Sequence, residues 1–335
     1  KGLMSKKVNI GVIGGGAWGT TIAKLLSEKN SNVLLWAKET HVKKNIEKSR
    51  INKIFLNNIA LPKSLNVTNS ICDMKTSDFL FVVITTQYIE STLRPIRKII
   101  KKSCVIVNCS KGIDIKSSAL ISDIVKRVFP QNTIGILSGP NFAYEIAQGK
   151  PTASLIAARN ILTSKKIADL ISSKKFRPYL SNDIIGAQIC GAMKNVYAIG
   201  CGIIVGKDFG ENAVASVISR SFSEIKLVGA RLGAKEETLS GLSGLGDLFL
   251  TCSSKKSRNF SLGYSLAKGK KLSTFLKSKT TVAEGAYTVK AVKNLSKELK
   301  MNLPINDAVY KILYLDKNIN HVISDLLNRP IIKEN

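Results

Sequence analysis

Three consecutive glycines interrupt the stretch VIGGGAWGTTIAKLL, residues 12–26, at the end of an apolar run and just before an amphipathic one. The run Val8–Ile13 reads as a buried strand, and Ala17–Leu26 repeats its apolar residues at helical spacing. A chain that gives up side chains at a strand-to-helix junction brings its backbone close to something. Gly14, Gly16 and Gly19 fall in the order G-x-G-x-x-G. In that pattern the first glycine makes the tight turn, the second admits a pyrophosphate and the third lets helix pack on strand. The helix start at Ala17 then faces the anion with free N–H groups, so the junction predicts dinucleotide binding.

The same strand-and-helix unit recurs over the next 150 residues or so. Apolar runs at Asn32–Trp36, Phe79–Ile84, Cys104–Asn108, Ile134–Leu137, Ala153–Ala158 and Phe176–Leu180 alternate with helical patterns such as Ser117–Phe129 and Asn141–Gln148. This β-α-β rhythm predicts an α/β chain with a mostly parallel, doubly wound, Rossmann-like sheet. After Asn182 the strand signals stop, and helical patterns take over at Ile184–Ile204, Asn212–Leu232, Arg258–Lys268, Tyr287–Leu299 and Asn306–Leu315. The expected division is therefore a dinucleotide-binding domain over residues 1–181 and an all-helical substrate-binding domain over 182–335. A chain of 335 residues with 44% apolar composition has the core for two such units.

Composition excludes several chemistries. Two histidines, His41 and His321, each among polar neighbours, are too few for a zinc cluster or a Ser-His-Asp triad. Proton chemistry is left to lysine, carboxylate, tyrosine or cysteine. The six cysteines include no C-x-x-C pair and several lie in apolar stretches, which reads as reduced thiols in a cytoplasmic protein. The most apolar window, near Ile189–Val205, is broken by Lys194 and Asn195, so no membrane span is expected. Lys1–Lys7 carry no apolar signal core, so export is not expected either, and Met4 is a candidate start. The net charge of +28 invites a nucleic-acid reading. Its lysines are spread along the whole chain without an arginine–aromatic stripe, the usage of an AT-rich genome, so no nucleic-acid partner is expected. A small anionic substrate would still profit from the field.

The chemistry-bearing residues lie where such a sheet ends. Lys38 and Glu39 follow the second strand; the lysine suits a 2′-phosphate and the glutamate an unphosphorylated ribose, so NAD and NADP both stay open. Two strands run into loops rich in free N–H groups, Cys109-Ser110-Lys111-Gly112 and Ser138-Gly139-Pro140-Asn141-Phe142-Ala143. Lys194 sits within a helix among Cys190, Gly191, Tyr197 and Ala198, which form no water-facing stripe. A desolvated ammonium of this kind suits a proton donor. Further on, Gly241–Leu248 reads as a glycine-rich turn carrying Asp247, and Arg258 opens a helical pattern as a phosphate clamp.

The segments GGGAWGTTIA, NCSKGID, SGPNFAYEIAQGKPT, GAMKNVYAIGCGI, GLSGLGDLFLTC and SRN, in this order and spacing, resemble the bacterial, NAD(P)-dependent glycerol-3-phosphate dehydrogenases. The resemblance runs from about Val8 to about Asn328. It implies that Lys194 is the acid/base protonating C2–O of dihydroxyacetone phosphate, that Lys111 touches cofactor and substrate, and that Asp247 orients Lys194 and a substrate hydroxyl. By the same resemblance Ser257, Arg258 and Asn259 bind the phosphate, and Gly139 and Asn141 line the substrate. Trp18, Lys38, Ala143, Arg258, Val282 and Glu284 join the glycines as cofactor contacts. A homodimer and a cytoplasmic role supplying glycerol phosphate for phospholipids are also implied. Two residues depart from the commonest pattern: Asn141 stands where threonine or serine is frequent, and Ser110 replaces a threonine before Lys-Gly. Amide and hydroxyl can both hydrogen-bond, so neither change removes the chemistry. The rivals are a β-hydroxyacid dehydrogenase, whose helix lysine is followed four residues later by asparagine where this chain has Ala198, and a non-catalytic dinucleotide sensor or nucleic-acid-binding protein.

Overall fold

Eight strands form one sheet in the computed structural model, which describes residues 7–276, 283–331 and 333. They are β1 (Ile10–Ile13), β2 (Val33–Trp36), β3 (Leu65–Thr68), β4 (Phe79–Val82), β5 (Val105–Asn108), β6 (Ile134–Ser138), β7 (Thr152–Ala158) and β8 (Phe176–Ser181). Around and between them run α1 (Ala17–Lys29), α2 (Thr40–Ser49), α3 (Ile89–Leu93), α4 (Ile121–Val128), α5 (Ala143–Ala147) and α6 (Ile161–Ile171). The strand order is β3-β2-β1-β4-β5-β6-β7-β8. Neighbours are parallel except β6 and β7, which are antiparallel. The chain reverses its winding between β1 and β4, and in such sheets ligands lie beyond the carboxyl ends of the strands at that switch. The four residues of β1 are all buried because helices cover both faces of the sheet, which is why its sequence IGVI is continuously apolar.

From Ile184 onward every described element is helical: α7 (Ile184–Gly206), α8 (Glu211–Leu232), α9 (Glu236–Ser240), α10 (Asp247–Cys252), α11 (Arg258–Ala267), α12 (Leu272–Leu276), α13 (Glu284–Glu298), α14 (Pro304–Tyr314) and α15 (Ile319–Leu327). The long apolar α7 is the axis of this half, with α8, α10, α11 and α13 packed on it. By length and composition α7 could cross a membrane, but 89% of its most apolar window is buried inside the fold. Small residues set the α7–α11 contact. A Cβ on Gly202 would lie 2.1 Å from the Phe260 carbonyl, and one on Gly263 would lie 1.9 Å from that of Ile199. The two backbones therefore touch, which brings the start of α11 beside the middle of α7.

The structure corrects several expected elements. The strand β3 and the helices α2 and α15 lie where no regular element was expected. Strand β3 is a sheet edge, and α2 and α15 bury only Val42 with Ile46 and Val322 respectively, so their apolar signal is thin. The helix expected from Ser117 begins only at Ile121, because the Asp114 carboxylate accepts both the Ser117 N–H and its hydroxyl while Ser118 turns at φ 52°. The glycine-rich turn at Gly241–Leu248 is helical instead. A π-turn over Leu242–Gly246 runs directly into α10, with the Gly246 N–H donating to the Gly241 carbonyl at 3.2 Å.

Candidate active site

The three glycines of the G-x-G-x-x-G pattern divide into two that the fold needs sterically and one that it does not. Gly14 has φ +131°, and a Cβ there would lie 2.1 Å from the Val83 carbonyl; a Cβ on Gly19 would lie 1.9 Å from the Gly14 carbonyl. At Gly16 a Cβ would meet nothing within 4 Å. Gly16 is also the N-cap of α1, with no side-chain cap and no acid in the first turn of the helix. Open space beside uncapped N–H groups fits a pyrophosphate. The Trp18 indole N–H donates to the Cys109 carbonyl at 3.1 Å and the Thr21 hydroxyl to the Ala143 carbonyl at 3.1 Å, tying α1 to the loops after β5 and β6. At the tip of β2, Ala37 packs on Gly15, and the next residue, Lys38, is exposed at the rim of the same loop. Val282 lies outside the described residues.

The loop after β5 carries Lys111, and the π-turn presents Asp247 to it across the seam between sheet and helices. Asp247 is fully buried and takes one lysine on each oxygen: Lys194 Nζ donates to Oδ1 at 2.5 Å, and Lys111 Nζ donates to Oδ2 at 2.6 Å. Lys194 donates also to Thr251 Oγ1 at 2.8 Å, and Lys111 to the Gly139 carbonyl at 2.8 Å. Lys194 is only 7% exposed, so it does not reach outward to solvent. Burial lowers its ammonium from 10.5 to about 8; Asp247 opposes the shift and Lys111 adds to it. Asp247 and Thr251 stand four residues apart on α10, on the same face, which is why both reach one ammonium. Asn108 exchanges hydrogen bonds with the Ser110 backbone, and the Ser110 hydroxyl accepts from the Ile84 N–H at 3.0 Å. The loop is thereby pinned to β4, as a threonine hydroxyl would pin it.

At the start of α11, the Ser257 hydroxyl caps the helix by accepting from the Phe260 N–H at 3.3 Å, and Arg258 is exposed as the first helical residue. Asn259 is buried, and both ends of its amide are engaged. Its Nδ2 donates to Asn195 Oδ1 at 3.0 Å, and its Oδ1 accepts from the Gly285 N–H at 2.9 Å. Asn195, the residue after Lys194, is thus tied through Asn259 to the start of α13, where Glu284 stands. Burial pushes the Glu284 carboxyl up to about 7 against the pull of Arg258, and its Oε2 has no hydrogen-bond partner among the described residues. Asn141 turns its amide toward β7, donating to the Ser154 hydroxyl at 2.8 Å. Gly139 takes φ +154° where a Cβ would come within 3.0 Å of Ser154 Cα.

Residues 9–163 match the family described as NAD-dependent glycerol-3-phosphate dehydrogenase N-terminus, and residues 183–324 match its C-terminus. The chain belongs to the NAD-dependent glycerol-3-phosphate dehydrogenase family. A glycerol-3-phosphate dehydrogenase [NAD(P)+] of Novosphingobium aromaticivorans is 41% identical over 97% of this chain and 98% of its own, and that of Hyphomonas neptunium is 39% identical over 97% and 96%. The crystal structure of glycerol-3-phosphate dehydrogenase from Coxiella burnetii superposes with a TM-score of 0.93 at 30% identity, covering 96% of this chain and 99% of that one. Within this family fold, Lys111, Lys194, Asp247 and Gly139 form one hydrogen-bonded cluster. Two residues beside the cluster, Thr251 bonded to Lys194 and Asn195 bonded to Asn259, carry no role in the sequence reading. Thr251 is legible only as the i+4 partner of Asp247 once that turn is known to be helical, and Asn195 only as a polar neighbour of Lys194.

Proposed function

We propose that this chain reduces dihydroxyacetone phosphate to sn-glycerol 3-phosphate, reversibly, with NADH or NADPH, and so supplies glycerophospholipid synthesis. The observation that carries the reading is the trio Lys194–Asp247–Lys111, with Lys194 and Asp247 buried and Lys111 half-buried on the loop that Trp18 of α1 holds through the Cys109 carbonyl. A nicotinamide dinucleotide held by Gly14, Gly16, Ala17, Trp18, Gly19, Lys38, Lys111, Ala143, Arg258 and Glu284 supplies the hydride. As negative charge grows on the ketone oxygen, Lys194 donates the proton, and its depressed value near 8 keeps that transfer easy close to neutrality. Asp247 holds Lys194 and Lys111 converged on one side of the site, so neither needs to reorganise during the reaction. Arg258 and the first-turn N–H groups of α11 that the Ser257 cap leaves free hold the phosphate, with Ser257 and Asn259 shaping that corner. Gly139 and Asn141 line the substrate. Binding energy from the phosphate, remote from the reacting carbon, orients the ketone.

The end of β8 at Ser181 and the start of α7 at Ile184 support a division into domains 1–181 and 182–335. A homodimer and a place in the cytoplasm complete the proposal; six cysteines without a disulfide suit a reducing compartment. The test follows loss of reduced nicotinamide absorbance with dihydroxyacetone phosphate, with NADH and NADPH compared. Lys194→Met is expected to bind cofactor as before and to lose turnover. A variant with the parent rate would remove Lys194 from the mechanism. Oxidation of cofactor with a β-hydroxyacid pair alone would overturn the assignment of substrate.

A further inference from the structure

Behind the trio lies a second buried carboxylate that the chemistry above does not use. Glu224 of α8 is 5% exposed and accepts three hydrogen bonds: from the Tyr197 hydroxyl at 3.0 Å, and from the N–H groups of Ile305 at 2.6 Å and Asn306 at 3.2 Å. The last two are free donors of the first turn of α14, whose own N-cap, Leu303, offers no side-chain cap. A carboxylate from a neighbouring helix therefore does the capping. Burial pushes that carboxyl up to about 7, with the three donors pulling it back down. An apolar side chain would pack here without removing a charge from water.

Tyr197 connects this cap to the active site. It is fully buried, stands three residues after Lys194 on α7, and shares a core cluster with Leu248 and Cys252 of α10. Helix α10 thus presents two adjacent stripes. Asp247 and Thr251 meet Lys194, while Leu248 and Cys252, each one residue on, belong to the core that holds the Tyr197 ring. We propose that Tyr197 and Glu224 are positioning residues for Lys194: anchored on α14, they fix the core against which α10 rests while its polar stripe holds the ammonium. The proposal rests on the reading of Lys194 as proton donor.

The test uses the full chain with Tyr197→Phe and Glu224→Gln, measuring single-turnover ketone reduction across pH, KM, cofactor affinity and thermal unfolding. Tyr197→Phe keeps the ring and removes only the tether. It is expected to slow single turnover about tenfold, the order that a sub-ångström misplacement of a catalytic group costs, with KM and cofactor affinity unchanged. The pH limb that reports Lys194 is expected to move, since its contact with Asp247 sets that limb, and Glu224→Gln is expected to move it in the same direction. Unchanged rate and limb, with only a lower unfolding temperature, would overturn the proposal. If Glu224→Gln does not fold, Tyr197→Phe decides alone. Lys194→Met is run alongside: a fully active Lys194→Met sinks the donor reading itself, whereas a dead Lys194→Met beside a normal Tyr197→Phe sinks only the positioning role.

Discussion

Asp247→Asn replaces one carboxylate oxygen by nitrogen at the point where two ammonium groups meet, and its consequences can be worked from the geometry. Lys194 and Lys111 each lose a charge-assisted hydrogen bond, at 2.5 and 2.6 Å. At about 1.5–3 kcal/mol each, and about 1.4 kcal/mol per factor of ten, the combined loss in kcat/KM is about a hundredfold to ten-thousandfold. The change also has a direction in pH. Asp247 is the main influence holding Lys194 up; burial and Lys111 both push it down, so without Asp247 the ammonium titrates below its present value of about 8. Ketone reduction needs the protonated lysine and falls above its pKa, so the falling limb moves to lower pH. Alcohol oxidation needs the neutral amine, so its rising limb moves the same way. The assay follows the absorbance of reduced nicotinamide in both directions across pH. A variant that loses rate while both limbs stay in place would refute the assignment of Asp247 as the group that sets the protonation of Lys194.

Other perturbations separate roles that lie close together. Gly16→Ala places its methyl in open space and is expected to fold normally but bind cofactor more weakly, whereas Gly19→Ala, with its Cβ 1.9 Å from the Gly14 carbonyl, is expected to lower the unfolding temperature; titration and thermal melts distinguish the two. Arg258→Ala is expected to raise KM for dihydroxyacetone phosphate about ten- to hundredfold, for a lost charge-assisted bond of about 1.5–3 kcal/mol, with cofactor oxidation still measurable at saturation. Glu224 titrates at about 7 in the fold against an ordinary 4.5, so the stability it contributes is present below 4.5 and lost as pH rises through about 7. Glu284, also raised to about 7, adds a like decline, so melts between these limits should show both, and Glu224→Gln should remove only its own share.

The parts of this fold that were legible in the sequence are those where one physical demand acts on adjacent residues. The glycine turn is local: Gly14 and Gly19 answer a steric demand from Val83 and from the turn itself, and the strand and helix around it carry full apolar patterns. Strand β3 and helices α2 and α15 were not legible, because elements packed on one side bury only one or two large apolar residues, and such a signal does not rise above a loop. Within the site, Lys194 could be singled out because its neighbours on the helix are small and apolar. Thr251 could not: its role depends on α10 being helical, and the glycines of the π-turn disguise that start as a loop. Asn259 is a different case. The sequence offered it to the phosphate, while its carboxamide spans from Asn195 to Gly285, a long-range contact that no local pattern encodes.

The charge balance of the site explains why a basic chain needs a buried acid at its centre. Lys111 and Lys194 without Asp247 would repel each other at close range in poorly hydrated surroundings, and the cheaper response would be to shed a proton, which would remove the acid of the proposed reduction. One carboxylate shared by two ammonium groups leaves the trio with an excess of one positive charge, with Arg258 adding another at the start of α11. A phosphorylated ketone enters with two negative charges and gains a third on its oxygen as hydride arrives. A site that were neutral at rest would bind the ketone's polar end without favouring that third charge, whereas a standing excess is complementary to the transition state more than to the substrate. The overall charge of +28 has no part in this selectivity, because it is spread over solvated lysines; what matters is that Asp247 compensates one of the two ammonium charges that meet it, buried Lys194 and half-buried Lys111, and leaves the other.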